Sequence, residues 1–424
     1  MSAQNQGGID HSFVYLTILV TVAAKNDWPI YHFDLEDGHL DCPIDEEVYV
    51  KPPEGYGEPG KVMKLNKPIF GTDAAARCWW KLIKSLSSHG YKGTNFNHSV
   101  YTLRKGEETI IMWVDACDGI ATASSEQALR ALESLISKSL EVDWNIRPPQ
   151  ILGITIEKIS GGYSLSQREL VDELVREHWD GTSLAQTPLP EGYAPTSSGE
   201  LSDKPSSEYL STMQRLAAIA ARTRPDMLYG VATLARFSQK PTVENWNGLH
   251  HLIRYLARTR KVTLHLVPNP SSSEPLDCDS DASWAGPTLP SIHGYVIRLY
   301  GCPIYCGSRR LPDYALSGFE ADFMAHDQAM KQALWIRDLA KNLVGTSFKI
   351  QLNCARDSAG KTLSEGSSTT QMRPFYHPTI NAGHAFIKWI APADQVANIL
   401  TEPLAKKSFD ILSPKVQGRS LATN

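Results

Sequence analysis

The stretch IIMWVDACDGIATAS, residues 110–124, runs from an apolar segment through two aspartates into a second apolar segment. Aromatic and β-branched residues on both sides of a short polar tip read as the two strands of a hairpin. Asp115 and Asp118 sit at that tip, split by Ala116 and Cys117. Upstream, ETIIMWVD and HSVYTLRKG form a further strand pair turning at Lys105, Gly106 and Glu107, and PIYHFDL is a short β-rich run that ends in Asp34. ARCWWKLIKSLSSHG, residues 76–90, reads as an amphipathic helix closed by Gly, and SEQALRALESLISKSLEV, residues 125–142, as a helix. PQILGITIEKI and GYSLSQ form a hairpin across Ser160, Gly161 and Gly162. From residue 13 the order is helix, strand, helix, strand, strand, helix, strand, strand. Asp34 and Asp115 both close strands, and a split βαβ sheet can bring such ends side by side. Two carboxylates held close repel, so the arrangement calls for a cation. Mg²⁺ suits it, because it takes oxygen ligands and bridges carboxylates to substrate phosphates.

The chain has 424 residues, enough for two or three domains. Its longest apolar run, FVYLTILVTVAA at 13–24, falls short of the roughly 18 residues that suggest a membrane span. The lead MSAQNQGGIDHS has no basic region of the kind that opens a secretory signal, so the chain is expected inside the cell. The seven cysteines contain no C-x-x-C pair, which argues against a structural zinc site. A net charge of -4 weighs mildly against a dedicated nucleic-acid binder, although RTRKVTLHL at 258–266 and the Arg309-Arg310 pair are local basic patches. Residues 180–208 are rich in Pro, Gly, Ser and Thr and read as a linker, followed by three helical stretches. A second polar break, VPNPSSSEP at 267–275, precedes a last segment of strands and helices.

The words around these acids resemble the reverse transcriptase and RNase H region of copia-type LTR retrotransposon polyproteins. FDLEDGHLDCPIDEEVYVKPPEGY is similar to D-V-K-T-A-F-L-N-G-x-L-x-E-E-V-Y-x-x-x-P-E-G-F, with fifteen positions from Asp34 to Tyr49. KLNKPIFGTDAAARCWW is similar to K-L-x-K-S-L-Y-G-L-K-Q-A-P-R-x-W, and WVDACDGIATAS stands where Y-V-D-D-x-x-I-A is expected. ILGITIEKISGGYSLSQREL resembles F-L-G-I-x-I with its L-S-Q, and ARTRPDMLYGVATLARF and HHLIRYLART resemble R-P-D-I-x-Y-A-V-x-x-L-S-R-F and R-Y-L-x-x-T. SDASWAG, SGFEADFMAHDQAM and VANILTEPL resemble the RNase H words S-D-A-D-W-A-G, S-x-x-E-A-E-Y-x-A and A-D-I-L-T-K-P-L.

The resemblance implies an α+β architecture: a reverse-transcriptase palm with partial fingers over 12–175, a linker over 176–208, a helical thumb and connection over 209–266, and an α/β RNase H-like domain over 276–410. It implies an RNA-directed DNA polymerase with Mg²⁺, or Mn²⁺, held by Asp34 and Asp115 and assisted by Asp118. A two-metal nuclease would rest on Asp281, Asp322 and Asp357, with Asp281 and Asp322 as metal ligands. Positions His39, Ala74 and Arg77 fall where nucleotide and template are contacted. The partners of an active enzyme are an RNA template, a DNA primer, the RNA–DNA hybrid and deoxynucleotides, with no membrane. The compartment is the cytoplasm, within a virus-like particle, or the nucleus.

The chain also departs from the pattern. Ala116 is either a lost second Asp, or Ala116-Cys117 is an insertion that turns Asp118 away; both readings damage the dyad. His39 replaces an aromatic that stacks under the incoming sugar, and Asp73-Ala74 replaces Lys-Gln. A fingers segment upstream of residue 12 is missing from the pattern. In the RNase H words Glu becomes Asp322, with Glu320 two positions earlier on the opposite side of a helix. A third acid falls on Ala355, with Asp357 as a substitute, a fourth on Asn398, and the histidine on His377. Trp79, Trp80, Trp284 and Trp335 are expected in the core. These losses suggest impaired catalysis, and the competing reading is a non-catalytic relic, or a co-opted protein that binds nucleic acid or another partner.

Overall fold

The structure, a computed structural model, describes residues 10–35, 44, 47–53, 55–56, 60–69, 72, 83–94, 97–115, 118–138, 140–146, 149–269, 274–286, 291–355 and 376–419. The architecture is mixed α and β. The chain divides into two compact units, residues 28–151 and residues 1–27 with 152–424.

The smaller unit contains β1 (Ile30–Asp34), β2 (Tyr49–Val50), β3 (Met63–Lys64), β4 (Lys92–Thr94), β5 (Asn97–Lys105), β6 (Glu108–Asp115), β7 (Asp118–Ala123), β8 (Asp143–Ile146) and β9 (Gln150–Ile151). Six of these form an antiparallel sheet in the order β4-β5-β6-β7-β1-β8. The helix Glu126–Ile136 covers one face of it. Ser125 caps this helix by accepting from Ala128 N–H, and Ala128, Leu129, Leu132, Leu135 and Ile136 are buried, the i, i+3, i+4 spacing of a single stripe. Each such leucine contributes about 1.5–3 kcal/mol by leaving water. The helix expected to reach residue 142 stops at Ile136, and DWNI, Asp143–Ile146, forms β8 on the sheet edge.

In the larger unit the helix His11–Asn26 is buried at every position from Phe13 to Ala23. A helix apolar on all sides must be covered on all sides. It packs with residues 152–419: Thr17 Oγ1 donates to the Ile304 carbonyl at 3.1 Å, and its cap Asp10 pairs with Arg222 at 2.9 Å. The hairpin β10 (Ile154–Ile159) and β11 (Gly162–Ser166) lies beside β12 (Leu264–Leu266) in the same unit. The compact units thus cut across the boundaries expected from the family words, which set this helix and hairpin with the palm.

Helices Arg168–His178, Ser206–Ala220, Leu228–Ala235 and Val243–Arg258 share a core with Leu189 and Ala185. Much of residues 176–208, expected as a linker, is fastened to that core. Val243 N–H donates to Glu200 O, Ser202 N–H to Pro241 O, and Tyr193 Oη to Glu244 O. Apolar side chains at only a few positions suffice to dock such a segment, which is why composition alone reads it as free.

The remaining strands, β13 (Leu276–Ser283), β14 (Ile292–Leu299), β15 (Cys302–Arg310), β16 (Ile350–Ala355) and β17 (Ala385–Ile390), make a mixed sheet in the order β15-β14-β13-β16-β17. The first three are antiparallel neighbours, and β13-β16-β17 run parallel. The 27-residue helix Gly318–Val344 packs on β13, and the helix Lys406–Val416 follows the last strand. Trp284 departs from the expected core role. Its side chain is 44% exposed and its Nε1–H donates to Ala315 O.

Candidate active site

The backbone register lines up acids across four strands. Asp115 is paired with Asp118 between β6 and β7, Asp118 with Asp34 between β7 and β1, and Asp34 with Asp143 between β1 and β8. Directly opposed residues have Cα atoms about 4.5–5.5 Å apart, so Asp34 and Asp115, two strands apart, are about 10 Å apart at Cα. The side chains of opposed residues leave the same face of a sheet.

Local packing fixes the line. Gly119 stands opposite Phe33, and a Cβ there would lie 2.1 Å from Phe33 Cζ, so only Gly admits the ring. Phe33 in turn stacks on Trp144 with centroids 5.0 Å apart. These contacts hold β1, β7 and β8 together one residue from the acids. On the acidic face His32, buried, donates from Nε2–H to Asp118 Oδ1 at 3.2 Å. Partial burial raises the Asp34 carboxyl above its ordinary range, and the charges of Asp118 and Asp143 raise it further, while His32 acts in the lowering direction. Asp118 thus lies opposite Asp34, near enough for the two charges to act on each other.

Asp34, Asp118 and Asp143 gather negative charge, and the His32 imidazole acts against it. Neither His32 nor Asp143 was singled out from sequence. His32 lies two residues before Asp34, and period two puts both on one face, a signal that could have found it. Asp143 carried no signal, because it lies just beyond the helix read over 125–142, in a stretch assigned to no element. His39, Ala74, Arg77 and Asp357 lie outside the described residues, as do the side chains of Asp115 and His377.

The second group of predicted acids lies in the larger unit. Asp281, near the end of β13, accepts from Thr401 Oγ1 at 2.7 Å. Asp322 Oδ1 accepts from the Ala282 N–H at 3.2 Å, which places it beside the same strand. Burial pushes Asp281 up to about 6; the Thr401 hydrogen bond opposes this and the Glu402 charge adds to it. Glu320 is committed to the helix start: its backbone N–H donates to Ser317 Oγ, and its carboxylate accepts from Leu316 N–H. Among the described residues no three His, Cys, Asp or Glu side chains stand ready to hold a metal ion.

A third landmark, the RTRPD word, builds a buried ion pair. Arg224 donates to both oxygens of Asp226 at 2.9 and 2.8 Å, and Tyr255 Oη donates to Asp226 at 2.6 Å. Burial works against both charges, and each partner more than offsets it, so Asp226 stays below the ordinary carboxylate range.

Residues 9–189 match the family model described as Reverse transcriptase (RNA-dependent DNA polymerase). Among similar proteins are the Retrovirus-related Pol polyproteins from transposons RE2 and RE1 of Arabidopsis thaliana, at 27% and 26% identity, each over 95% of this chain. That from transposon TNT 1-94 of Nicotiana tabacum is 26% identical over 93% of the chain. The chain is thus similar to copia-type Pol polyproteins over nearly its whole length. It spans about 28% of the length of the two Arabidopsis relatives. No helix among the described residues is long and apolar enough to cross a membrane.

Proposed function

We propose that this chain is the reverse-transcriptase and RNase H-like segment of a copia-type Pol polyprotein, an RNA-directed DNA polymerase by design whose catalysis is impaired. The observation that carries the polymerase reading is the cross-strand line Asp115, Asp118, Asp34. Asp118 and Asp143 add like charge beside Asp34, with His32 acting against them, and a divalent cation relieves such crowding of carboxylates. Asp34 and Asp118, with Asp115 placed opposite by the register, would hold Mg²⁺ or Mn²⁺. When bound, such an ion neutralises phosphate and stabilises attacking and leaving oxygens. His32 orients Asp118, and the Phe33–Gly119 contact sets the spacing of β1 and β7. The impairment follows from Ala116 at the hairpin tip and from the changes at His39 and Ala74, since misplacing a reacting group by about 1 Å can cost on the order of a hundredfold. The RNase H-like reading is supported by the mixed sheet whose first strand carries Asp281 near its end.

The partners on this reading are an RNA template, a DNA primer and deoxynucleotides. Primer extension on an RNA template with Mg²⁺ or Mn²⁺ tests it. Slow elongation that disappears in Asp34→Asn is expected; elongation that persists in that variant refutes the assignment.

One observation favours the second reading, a nucleic-acid-binding protein without catalysis. A cleft of about 610 Å³ is lined by Arg168, Arg176, Arg260 and Lys261 around Trp179, with Asp172 as the only acid lining it among the described residues. Four cations against one acid leave +3 in a chain whose net charge is -4. Cations beside an aromatic ring suit a single strand, whose binding falls with salt by a slope of about 0.7 per phosphate contacted. Binding of an oligonucleotide in EDTA that survives Asp34→Asn and weakens in Arg168→Ala/Arg260→Ala would favour this reading. Loss of binding in Asp34→Asn alone would count against it.

A further inference from the structure

Asp281 is the acid that the resemblance assigns to a nuclease centre, yet hydrogen-bond donors already meet its oxygens. Thr401 Oγ1 donates to Oδ2 at 2.7 Å. With its amide nitrogen toward the acid, the orientation in which neither group faces its like, Asn398 Nδ2 lies 3.2 Å from both Asp281 oxygens. Both donors come from one short turn, Val396–Leu400 and the residue after it. That turn is held against the sheet by Gln395, whose Nε2 donates to Ser280 O at 3.0 Å. Gly294, opposite Asp281, permits the approach, because a Cβ there would lie 2.6 Å from Leu400 Cβ. A divalent cation needs converging oxygen lone pairs. Asp281 instead meets an N–H group and an O–H group, and Asp322 has one oxygen on the Ala282 N–H.

We propose that Asn398 and Thr401 stand in for a cation at this place: the Asp281 carboxylate is a strut that ties β13 to the Val396–Leu400 turn, and Asn398 is the residue that keeps a divalent ion out. The inference rests on the RNase H-like reading only for the choice of acid, and the donor geometry stands without it. Asn398→Asp replaces the donor by a second carboxylate against Asp281. Two such charges repel until a cation joins them.

The test uses the full chain in an Asp34→Asn/Asp118→Asn background, so that cation binding at the other acidic line does not enter and its failure is read separately. Thermal melting and the electron-paramagnetic signal of free Mn²⁺ are measured with and without Asn398→Asp. In EDTA the added carboxylate is expected to lower the melting temperature by about 2–4 °C. Millimolar Mg²⁺ or Mn²⁺ should restore it, and Mn²⁺ should bind at least tenfold more tightly than to the parent. Asn398→Leu, which keeps the volume and removes the donor, should melt below the parent in EDTA. Mn²⁺ binding by the parent that vanishes in Asn398→Leu would make Asn398 a metal ligand and overturn the proposal. So would an Asn398→Asp chain that gains no ion, or an Asn398→Leu chain that melts with the parent.

Discussion

The acids of β1 and β7 and the acid of β13 are both strand-end carboxylates in family words, and they differ in who settles their charge. At Asp34 the neighbours are two more carboxylates and one imidazole. At Asp281 they are a hydroxyl, an amide and a turn docked against a glycine. The Arg224–Asp226 pair lies at the far end of the same scale, fully enclosed and bonded on every side. The comparison teaches that a preserved motif letter does not say what the residue does. A carboxylate already matched by the chain's own donors serves packing, and one left among its like remains open to a cation.

The largest effect lies where compensation is complete. Removing one partner of a buried ion pair leaves the other charge unpaired, at about 3–5 kcal/mol. Asp226→Ala strands the Arg224 guanidinium and also takes the acceptor from Tyr255 Oη. Denaturant unfolding should show a loss of that order. Arg224→Met/Asp226→Leu, which removes both charges, should lose much less, and an equal loss would mean that packing volume, not charge, is what this landmark preserves.

Asp281 gives the next effect through pH. Its folded value, about 6, is raised mainly by burial, whereas an unfolded Asp releases its proton near about 3.9. Between roughly pH 4 and 6 the native state holds a proton that the unfolded state has given up, so stability falls as pH rises through that window and levels off above it. The two-unit difference caps this contribution at about 3 kcal/mol. In Asp281→Asn it should be absent, so the variant's stability relative to wild type should improve from pH 4 to pH 7. A constant difference would show that Thr401 and Asn398 compensate the charge completely.

Gly119→Ala probes the other side of the comparison. The new methyl meets the Phe33 ring, and overpacking of this kind costs about 1–3 kcal/mol. It should also spread β1 from β7 and weaken Mg²⁺ binding at Asp34 and Asp118, measured by titration calorimetry. Stability lost with cation affinity intact would separate the packing from the site.

Much of this was readable in advance. Period-two runs placed the β5-β6 and β10-β11 hairpins, and strand-end position singled out Asp34 and Asp115, which the register sets two strands apart with Asp118 between them. What was hidden depends on partners remote in the chain. The all-apolar helix His11–Asn26 signals burial without saying against what, and a few buried side chains such as Leu189 dock a segment whose composition reads as free. Asn398 reads as a lost ligand because only the fold shows that its amide meets Asp281. Trp284 reads as core by residue type, whereas its ring is held at the surface by one hydrogen bond to Ala315.

The smallest effect is the sharpest for the cation question. Asp118→Asn removes a like charge from beside Asp34 and keeps an oxygen to accept from His32 Nε2–H. Asp118 is 49% exposed, so screening holds the gain in metal-free buffer below about 1 kcal/mol, and added salt should shrink it. The Asp34 carboxyl should titrate lower in the variant, followed by its carboxyl carbon resonance. Mg²⁺ should then stabilise the wild type and leave Asp118→Asn unmoved, because the negative charge that draws the ion has been reduced and one ligand lost. A variant less stable than wild type in metal-free buffer would mean that the anionic Asp118 anchors His32 more than it repels Asp34, and the acids of β1 and β7 would then belong with Asp281 as internally matched groups.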